Sequence, residues 1–207
     1  MSYRPITILS VNRKTNASLD LPIKGHCCAT KNCLHDCYAK SGPQAFTRAV
    51  RKHEWVSKYL LKKNISQLIT ESKNLNSVRL NGSGDLLPGH CPQIISLALA
   101  CPQTIFWGMT RKPEIATIIN SANLPNLRLL LTVDASSPKS VWLYKGKMCF
   151  GPRHAEDVIP DTDQILTVFP YHHSGKITKG ISEHSKDCPA VRHKVTGCVE
   201  CRRCWNW

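Results

Sequence analysis

Two groups of closely spaced cysteines are the residues of this sequence most able to do chemistry. The first group lies near the N-terminus and comprises Cys27, Cys28, Cys33 and Cys37. The second lies near the C-terminus and comprises Cys188, Cys198, Cys201 and Cys204. Thiols this dense, with Lys, His and Asp residues between the N-terminal ones, are poor candidates for an apolar core. They are typical of metal sites or disulfides.

The remaining composition favours metal ligands over disulfides. Residues 1–9 show none of the features of a signal peptide, and no apolar run is long enough to span a membrane. We therefore expect a cytoplasmic protein, without a membrane segment, in a reducing compartment. There, the eleven cysteines indicate metal ligands or reactive thiols.

The formal net charge of +14 over 207 residues is large. A basic excess favours a polyanionic partner such as nucleic acid, or a negatively charged small molecule. It is equally compatible with a solvated basic surface. No recognisable DNA-binding or RNA-binding motif accompanies the charge.

The C-terminal group has the more specific spacing. Cys198, Cys201 and Cys204 form a C-x2-C-x2-C run, and Cys188 is followed by Pro. This spacing is typical of bacterial ferredoxins, which bind [4Fe–4S] clusters, although here the Cys-Pro pair precedes the run. Structural zinc is the alternative, because zinc also binds cysteine sets. Either metal would order much of this segment.

The N-terminal group predicts a site with an open coordination position. Cys33, Cys37 and one of Cys27 and Cys28 supply three thiolates to a cubane cluster, which leaves one iron free for an exogenous ligand. Adjacent cysteines rarely both bind, and spacing alone does not choose between these two. A zinc site that uses both cysteine groups and a fully ligated electron-transfer cluster are the alternatives.

The elements that must position these thiols alternate between strand and helix. Short strands are predicted at 5–11 and 17–24, a long helix at 43–71, and then strands at 77–81, 104–110, 127–133, 147–150 and 164–169 with helices at 92–100 and 113–120. This order predicts an α/β fold with a parallel sheet and right-handed crossovers. Chemistry in such sheets collects at the carboxyl ends of the strands. The cysteine loop, Gly82–Asp85, Thr110-Arg111 and Asp134–Ser136 all lie at those ends.

The C-terminal group belongs to a short segment of its own. We expect residues 1–181 to form the main body and residues 182–207 to form a cysteine-rich metal-binding tail within the same compact unit. Outside both cysteine groups, Cys91, Cys101 and Cys149 are interpreted as core or helix-end thiols. Two other pairs could contact a site: His172 with His173, and Trp205 with Trp207. The simpler interpretation of the histidines is a solvent-facing loop. The simpler interpretation of the tryptophans is that they cover the tail metal.

The motif Cys-x4/5-Cys-x3-Cys-Tyr-Ala, followed by a Gly-Asp segment after the next strand, resembles the radical S-adenosylmethionine superfamily. With the terminal cysteine cluster in the same order, the chain is most similar to the small phage "gene product 88" family. The resemblance implies a partial (β/α)6 barrel and an S-adenosylmethionine bound to the open iron. It also implies an electron donor and a 5′-deoxyadenosyl radical that abstracts hydrogen from an unknown substrate.

The same resemblance assigns the site residues. Metal ligands are Cys33, Cys37 and one of Cys27 and Cys28 for the first cluster, while the tail cysteines hold an auxiliary [4Fe–4S] cluster. Cofactor contacts fall on Gly82, Ser83, Gly84 and Asp85, with Asp85 accepting from the ammonium of S-adenosylmethionine, and on Tyr38. The alternative function is a non-catalytic iron–sulfur or zinc protein that binds nucleic acid or a host protein through its basic surface.

Overall fold

The chain folds around one seven-stranded sheet. The structure is a computed structural model, which describes residues 7–12, 15–40, 42–160, 162–170, 172–173, 176–177, 182, 184–192 and 197–206. The strands of the sheet are β1 (Ser10–Asn12), β2 (Asn16–Leu19), β3 (Ser77–Leu80), β4 (Ile105–Thr110), β5 (Leu127–Val133), β6 (Met148–Arg153) and β7 (Ile165–Pro170). A separate two-stranded hairpin consists of β8 (His172–His173) and β9 (Lys176–Ile177).

Helices connect most of these strands. They are α1 (Lys31–His35), α2 (Thr47–Leu60), α3 (Ser66–Ser72), α4 (Cys91–Ala100), α5 (Pro113–Ser121) and α6 (Cys198–Cys201). Four 3₁₀ turns accompany them, at Tyr38–Lys40, Gly42–Ala45, Pro88–His90 and Lys139–Leu143. None of the described helices combines the length and apolarity that a membrane span needs.

Strand order in the sheet follows chain order. β1 pairs antiparallel with β2, and each later pair from β2 to β7 is parallel. Helices cross over between β2 and β5, whereas β5 and β6 are joined through a 3₁₀ turn only. The α/β class is therefore confirmed, with an open sheet whose edges are β1 and β7.

The two faces of the sheet carry different residues because side chains alternate along a strand. On one face Val78, Leu80 and Phe106 are buried in the main core, together with Ile94 and Leu97 of α4. On the other face, Arg79, Trp107, Met109 and Thr132 line a cavity. The helices thus cover the first face and leave the second for the site.

The long helix predicted over residues 43–71 is wrong as a single element. A 3₁₀ turn precedes α2. The helix α2 ends at Leu60, and α3 begins only at Ser66. Asn64 explains the interruption, because its side-chain oxygen accepts a hydrogen bond from the Ser66 N–H at 2.9 Å. An Asn side chain that bonds the backbone two residues on offers a local turn in place of a continued helix.

A buried polar cluster lies between α2 and the start of α4. Ser57 Oγ lies 3.2 Å from His26 Nε2 and 3.3 Å from His90 Nε2, and the two imidazole rings stack. His90 is fully buried, and its Nδ1 accepts from the Leu87 N–H at 3.2 Å. Burial lowers the pKa of His90 to about 4, and the nearby His26 and Lys112 act in the same direction.

Because the folded protein keeps His90 neutral, acid should destabilise it. The contribution of neutral His90 to the free energy of unfolding is complete above pH 6.5, the ordinary histidine pKa, and it is lost as the pH falls from there to about 4. We expect His90 alone to account for about 3 kcal/mol of lost unfolding free energy over that range. Urea unfolding of the wild type and His90→Gln at several pH values measures this. The pH dependence should be shallower in the variant, and parallel curves would contradict the assignment.

Candidate functional site

A single cavity of about 480 Å³ lies on the sheet face opposite the helices. Its walls come from the loop at residues 27–37 (the front loop), from β3 to β7, and from the segment that begins at Ser182 (the tail). All eight cysteines predicted as metal ligands line it: Cys27, Cys28, Cys33, Cys37, Cys188, Cys198, Cys201 and Cys204. The structure therefore brings the two cysteine groups to one site.

The front loop is tied to the end of β5, about one hundred residues away in sequence. Thr30 caps α1 by accepting from the Cys33 N–H at 3.2 Å, and its hydroxyl donates to the carboxylate of Asp134 at 2.5 Å. The Asn32 N–H donates to Ser136 Oγ at 3.1 Å. Because parallel strands end at one edge of a sheet, β5 can hold a loop that follows β2.

Three thiols of the front loop lie close enough for their charges to interact. Desolvation of the sulfur, together with the charges of Asp85, Cys33 and Cys37, raises the pKa of Cys27 to about 12, although the residue as a whole is exposed. Burial also raises the pKa of Cys33, while a hydrogen bond from Arg111 opposes that shift. Such thiols stay protonated at neutral pH unless a cation displaces the proton, as metal binding does.

Arg111 connects the front loop to the sheet. Its guanidinium pairs with the buried carboxylate of Asp134 at 2.8 Å and donates to the Gly151 carbonyl at 2.9 Å. Since the same side chain also contacts Cys33, its position is fixed by groups from β5 and β6. Arg111 thus presents a fixed positive charge to the front-loop sulfur atoms.

The segment Gly82–Asp85 packs against the chain that leaves β2. The Leu21 N–H donates to the Ser83 carbonyl at 2.9 Å, and Ser83 Oγ donates to the Leu21 carbonyl at 3.0 Å. Gly84 has a φ of +66°, and a Cβ there would lie 2.3 Å from the carbonyl oxygens of Leu21 and Pro22. The glycines therefore permit a close backbone approach between β3 and the entrance to the front loop.

The Asp85 carboxylate is buried and already has four protein donors. One oxygen accepts from the Leu86 N–H and the Asn81 amide, and the other accepts from the Thr110 hydroxyl and the Arg111 N–H. Burial raises its pKa, and these hydrogen bonds act against that shift. Asp85 therefore holds the ends of β3 and β4 together; its predicted contact with an ammonium group stays a prediction. Gly84 and Asp85 both line the cavity.

The close approach at Gly84 leads to a stability prediction. Gly84→Ala should lower the melting temperature, because the new methyl group would collide with two carbonyl oxygens and the backbone conformation itself costs about 1–3 kcal/mol. Gly42→Ala is the matched control, since Gly42 has a φ of +69° with no atom within 4 Å of the added carbon. Equal losses in the two variants, measured by thermal unfolding, would contradict the packing role.

Asp187 holds the tail on the edge of the sheet. Val168 and Asp187 form a parallel bridge, and the Cys188 N–H donates to the Val168 carbonyl at 2.7 Å. The buried Asp187 carboxylate pairs with Arg192 at 2.5 Å and Arg153 at 3.5 Å. This arrangement extends β7 and places Cys188 beside the cavity.

The end of the tail reaches the cavity face of the sheet. Trp205 packs on Trp107 of β4, with ring centroids 4.7 Å apart. Burial raises the pKa of Cys204 well above its ordinary value, and the charges of four other thiols act in the same direction: Cys149, Cys188, Cys198 and Cys201. The four tail cysteines line the cavity together.

The thiols are grouped without forming a single-ion site. Within the described ranges, no set of three or more His, Cys, Asp or Glu side chains is arranged to hold one metal ion. The cysteines share a cavity, and the metal that they were predicted to hold stays a prediction.

The other predicted residues have varied outcomes. Cys91 and Cys101 are buried at the ends of α4 and in the main core, as predicted, and Cys149 is buried on β6 beside Thr132. Tyr38 lies in the turn Tyr38–Lys40, and His172-His173 forms β8, but their side chains lie outside what the structure describes. Trp207 also lies outside the described residues.

Arg79 and Trp107 are site residues that the sequence reasoning missed. Both lie in strands with buried neighbours and line the cavity. The sequence did carry a signal for Arg79, which lies between the buried Val78 and Leu80. A strand buried on both faces would carry an apolar residue at that position, so the arginine marks a polar site on the second face.

Comparison with known proteins identifies a family. The family model described as Gene product 88 matches residues 6–207 of this chain. Searches of curated proteins and of solved structures find no match.

Proposed function

The chain belongs to the Gene product 88 family, a family of phage gene products, and we propose that it is an iron–sulfur protein with radical S-adenosylmethionine chemistry. In this proposal Cys27, Cys33 and Cys37 hold a [4Fe–4S] cluster with one open iron. A second [4Fe–4S] cluster binds to Cys188, Cys198, Cys201 and Cys204. The observation that carries the proposal is the convergence of both thiol groups on one cavity.

The electrostatics favour Cys27 over Cys28 as the third front-loop ligand. The charges of Cys33 and Cys37 act on Cys27, which supports a grouping of those three sulfur atoms. Both Cys27 and Cys28 line the cavity and are exposed, so exposure does not separate the two. Three thiolates on a cluster that borders the cavity leave its fourth corner accessible to a small-molecule ligand.

The sheet supports a partial (β/α)6 barrel. Doubly wound sheets reverse their strand order at a switch point and carry helices on both faces. Here, β2 to β7 are parallel and follow chain order without reversal, and the core residues of α4 pack with one face of the strands. A one-sided, sequential sheet can curl around the opposite face, as barrel sheets do.

The chain's own residues would prepare the site for its cofactors. A reduced [4Fe–4S] cluster supplies the electron that cleaves a bound S-adenosylmethionine. Arg111 donates to Cys33 and would stabilise its thiolate. Gly84 and Asp85 border the cavity beside the front loop, where their backbone can approach a ligand. The tail and Trp205 cover the cavity, which would exclude water from a reactive radical.

Iron analysis of cysteine variants tests this proposal. Anaerobically reconstituted protein should contain about eight irons and as many sulfides per chain, and either Cys33→Ser or Cys201→Ser should lose about half of them. With dithionite and S-adenosylmethionine, the wild type should form 5′-deoxyadenosine and Cys33→Ser should form none.

Cys101→Ser is the matched control for these variants. Cys101 is buried against Ile69 in the main core and is not among the cavity residues, so its loss should change neither the iron content nor the product. A colourless, zinc-loaded wild type would refute the cluster assignment. Full iron loading without 5′-deoxyadenosine would refute the catalytic part.

A second function is favoured by a specific surface. Exposed basic residues follow α2 and the turn after it: Arg48, Arg51, Lys58, Lys62 and Lys63. A row of exposed cations suits nucleic acid phosphates. If the iron-loaded protein cleaves no S-adenosylmethionine, salt-dependent binding to RNA or DNA that weakens in Arg48→Gln/Arg51→Gln would support this non-catalytic role.

A further inference from the structure

A cluster of buried nitrogen donors lies on the floor of the cavity. The guanidinium of Arg79 on β3 lies over the ring of Trp107, 5.7 Å from the ring centroid. The ring of Trp205, in the tail, also packs against the Trp107 ring. The side chains of Trp107 and Trp205 are 1% and 7% exposed. All three residues line the cavity.

Among the residues that the structure describes, these donors have no acceptor. Arg79 Nε, Trp107 Nε1 and Trp205 Nε1 are buried, and none has a hydrogen-bond partner within the described part of the chain. A buried N–H without a partner is costly, so native proteins rarely keep one without a purpose. Three such donors, on Trp107 and on the two side chains that contact its ring, point to a ligand that accepts hydrogen bonds.

The charge of the surroundings defines the ligand further. Four arginines and two aspartates line the cavity: Arg79, Arg111, Arg202 and Arg203, with Asp36 and Asp85. Both carboxylates already accept hydrogen bonds from protein groups. The guanidinium and the two indole donors therefore offer positive charge and N–H groups without a competing free carboxylate.

The cluster lies beside the predicted cofactor contacts without overlapping them. Arg79 is the third of four residues in β3 and pairs with Trp107 of β4. The predicted cofactor contacts begin three residues later, at Gly82, which is about 10 Å further along the chain at about 3.3 Å per residue. The two sets of residues therefore border adjoining parts of the cavity.

We propose that the Arg79–Trp107–Trp205 cluster binds the anionic group of the substrate, a carboxylate or a phosphate. The term substrate rests on the proposed function, whereas the anion site itself rests on the three buried donors. A molecule anchored there would extend through the cavity toward the front loop. The enzyme would therefore act on an acidic organic molecule rather than on a neutral one.

The test is the thermal stabilisation that anions produce in the iron-loaded full chain. Inorganic phosphate and acetate are titrated at constant ionic strength against the wild type, Arg79→Gln, Trp107→Phe and Lys139→Gln. Lys139 is an exposed residue of the turn Lys139–Leu143, lies outside the cavity lining, and matches the loss of charge. A ligand that binds only the folded state raises the melting temperature in a saturable way, whereas a general salt effect stabilises every variant equally.

We expect a saturable rise with at least one anion in the wild type and Lys139→Gln. Arg79→Gln and Trp107→Phe should weaken the apparent affinity about tenfold or more, since each loses a buried donor to a charged acceptor. The anion with the higher apparent affinity shows whether the site prefers a phosphate or a carboxylate. Equal rises in all four proteins, or no rise with either anion, would overturn the proposal.

Two further measurements keep this failure distinct from failure of the proposed function. Iron content and 5′-deoxyadenosine formation are measured in the same four preparations, and the proposal requires that Arg79→Gln keep both. If S-adenosylmethionine itself stabilises the wild type but not Arg79→Gln, the anion is the carboxylate of the cofactor, and the assignment to a substrate is overturned.

Discussion

The parallel, in-order sheet is the constraint on which the rest of the structure depends. Every strand from β2 to β7 runs in one direction, so every loop that follows a strand emerges at the same edge. The front loop after β2, Gly82–Asp85 after β3, Arg111 after β4 and Asp134 after β5 can therefore contact one another. The ion pair between Arg111 and Asp134, at 2.8 Å, and the hydrogen bond from Thr30 depend on this edge.

Clustered sulfur gives the site its chemical character. Desolvation, together with the charges of Asp85 and of the neighbouring thiols, raises the pKa of Cys27 to about 12, and desolvation raises that of Cys204 well above its ordinary value. Thiols in such surroundings resist ionisation in the absence of a cation, and a metal core that took the place of their protons would also neutralise their charge.

Much of the fold could be predicted from the sequence because its strands carry a strong local signal. Leu127–Val133 is apolar almost throughout and forms β5 as expected, and the early prolines at Pro92 and Pro113 lie in the first turns of α4 and α5. The break between α2 and α3 was missed because the Asn64 side chain bonds the backbone two residues on only in the turn geometry that the fold provides.

The site was predictable residue by residue but not as a whole. The spacing of the cysteines marked both groups, yet no local pattern reveals that Trp205 packs on Trp107, roughly one hundred residues earlier, and so brings the tail into the cavity. Arg111 was noted only for its place at a strand end. Its role comes from Asp134 and Cys33, which reach it from β5 and from the front loop.

The central claim is that two metal cores share one cavity, and electron paramagnetic resonance of the fully reduced protein tests it most directly. Two paramagnetic clusters on opposite walls of a cavity of about 480 Å³ should couple magnetically and give a broadened, split spectrum. In Cys201→Ser that spectrum should collapse to the simple signal of one isolated cluster. A wild-type spectrum equal to the sum of two independent signals, or one that contains a single cluster, would contradict the account.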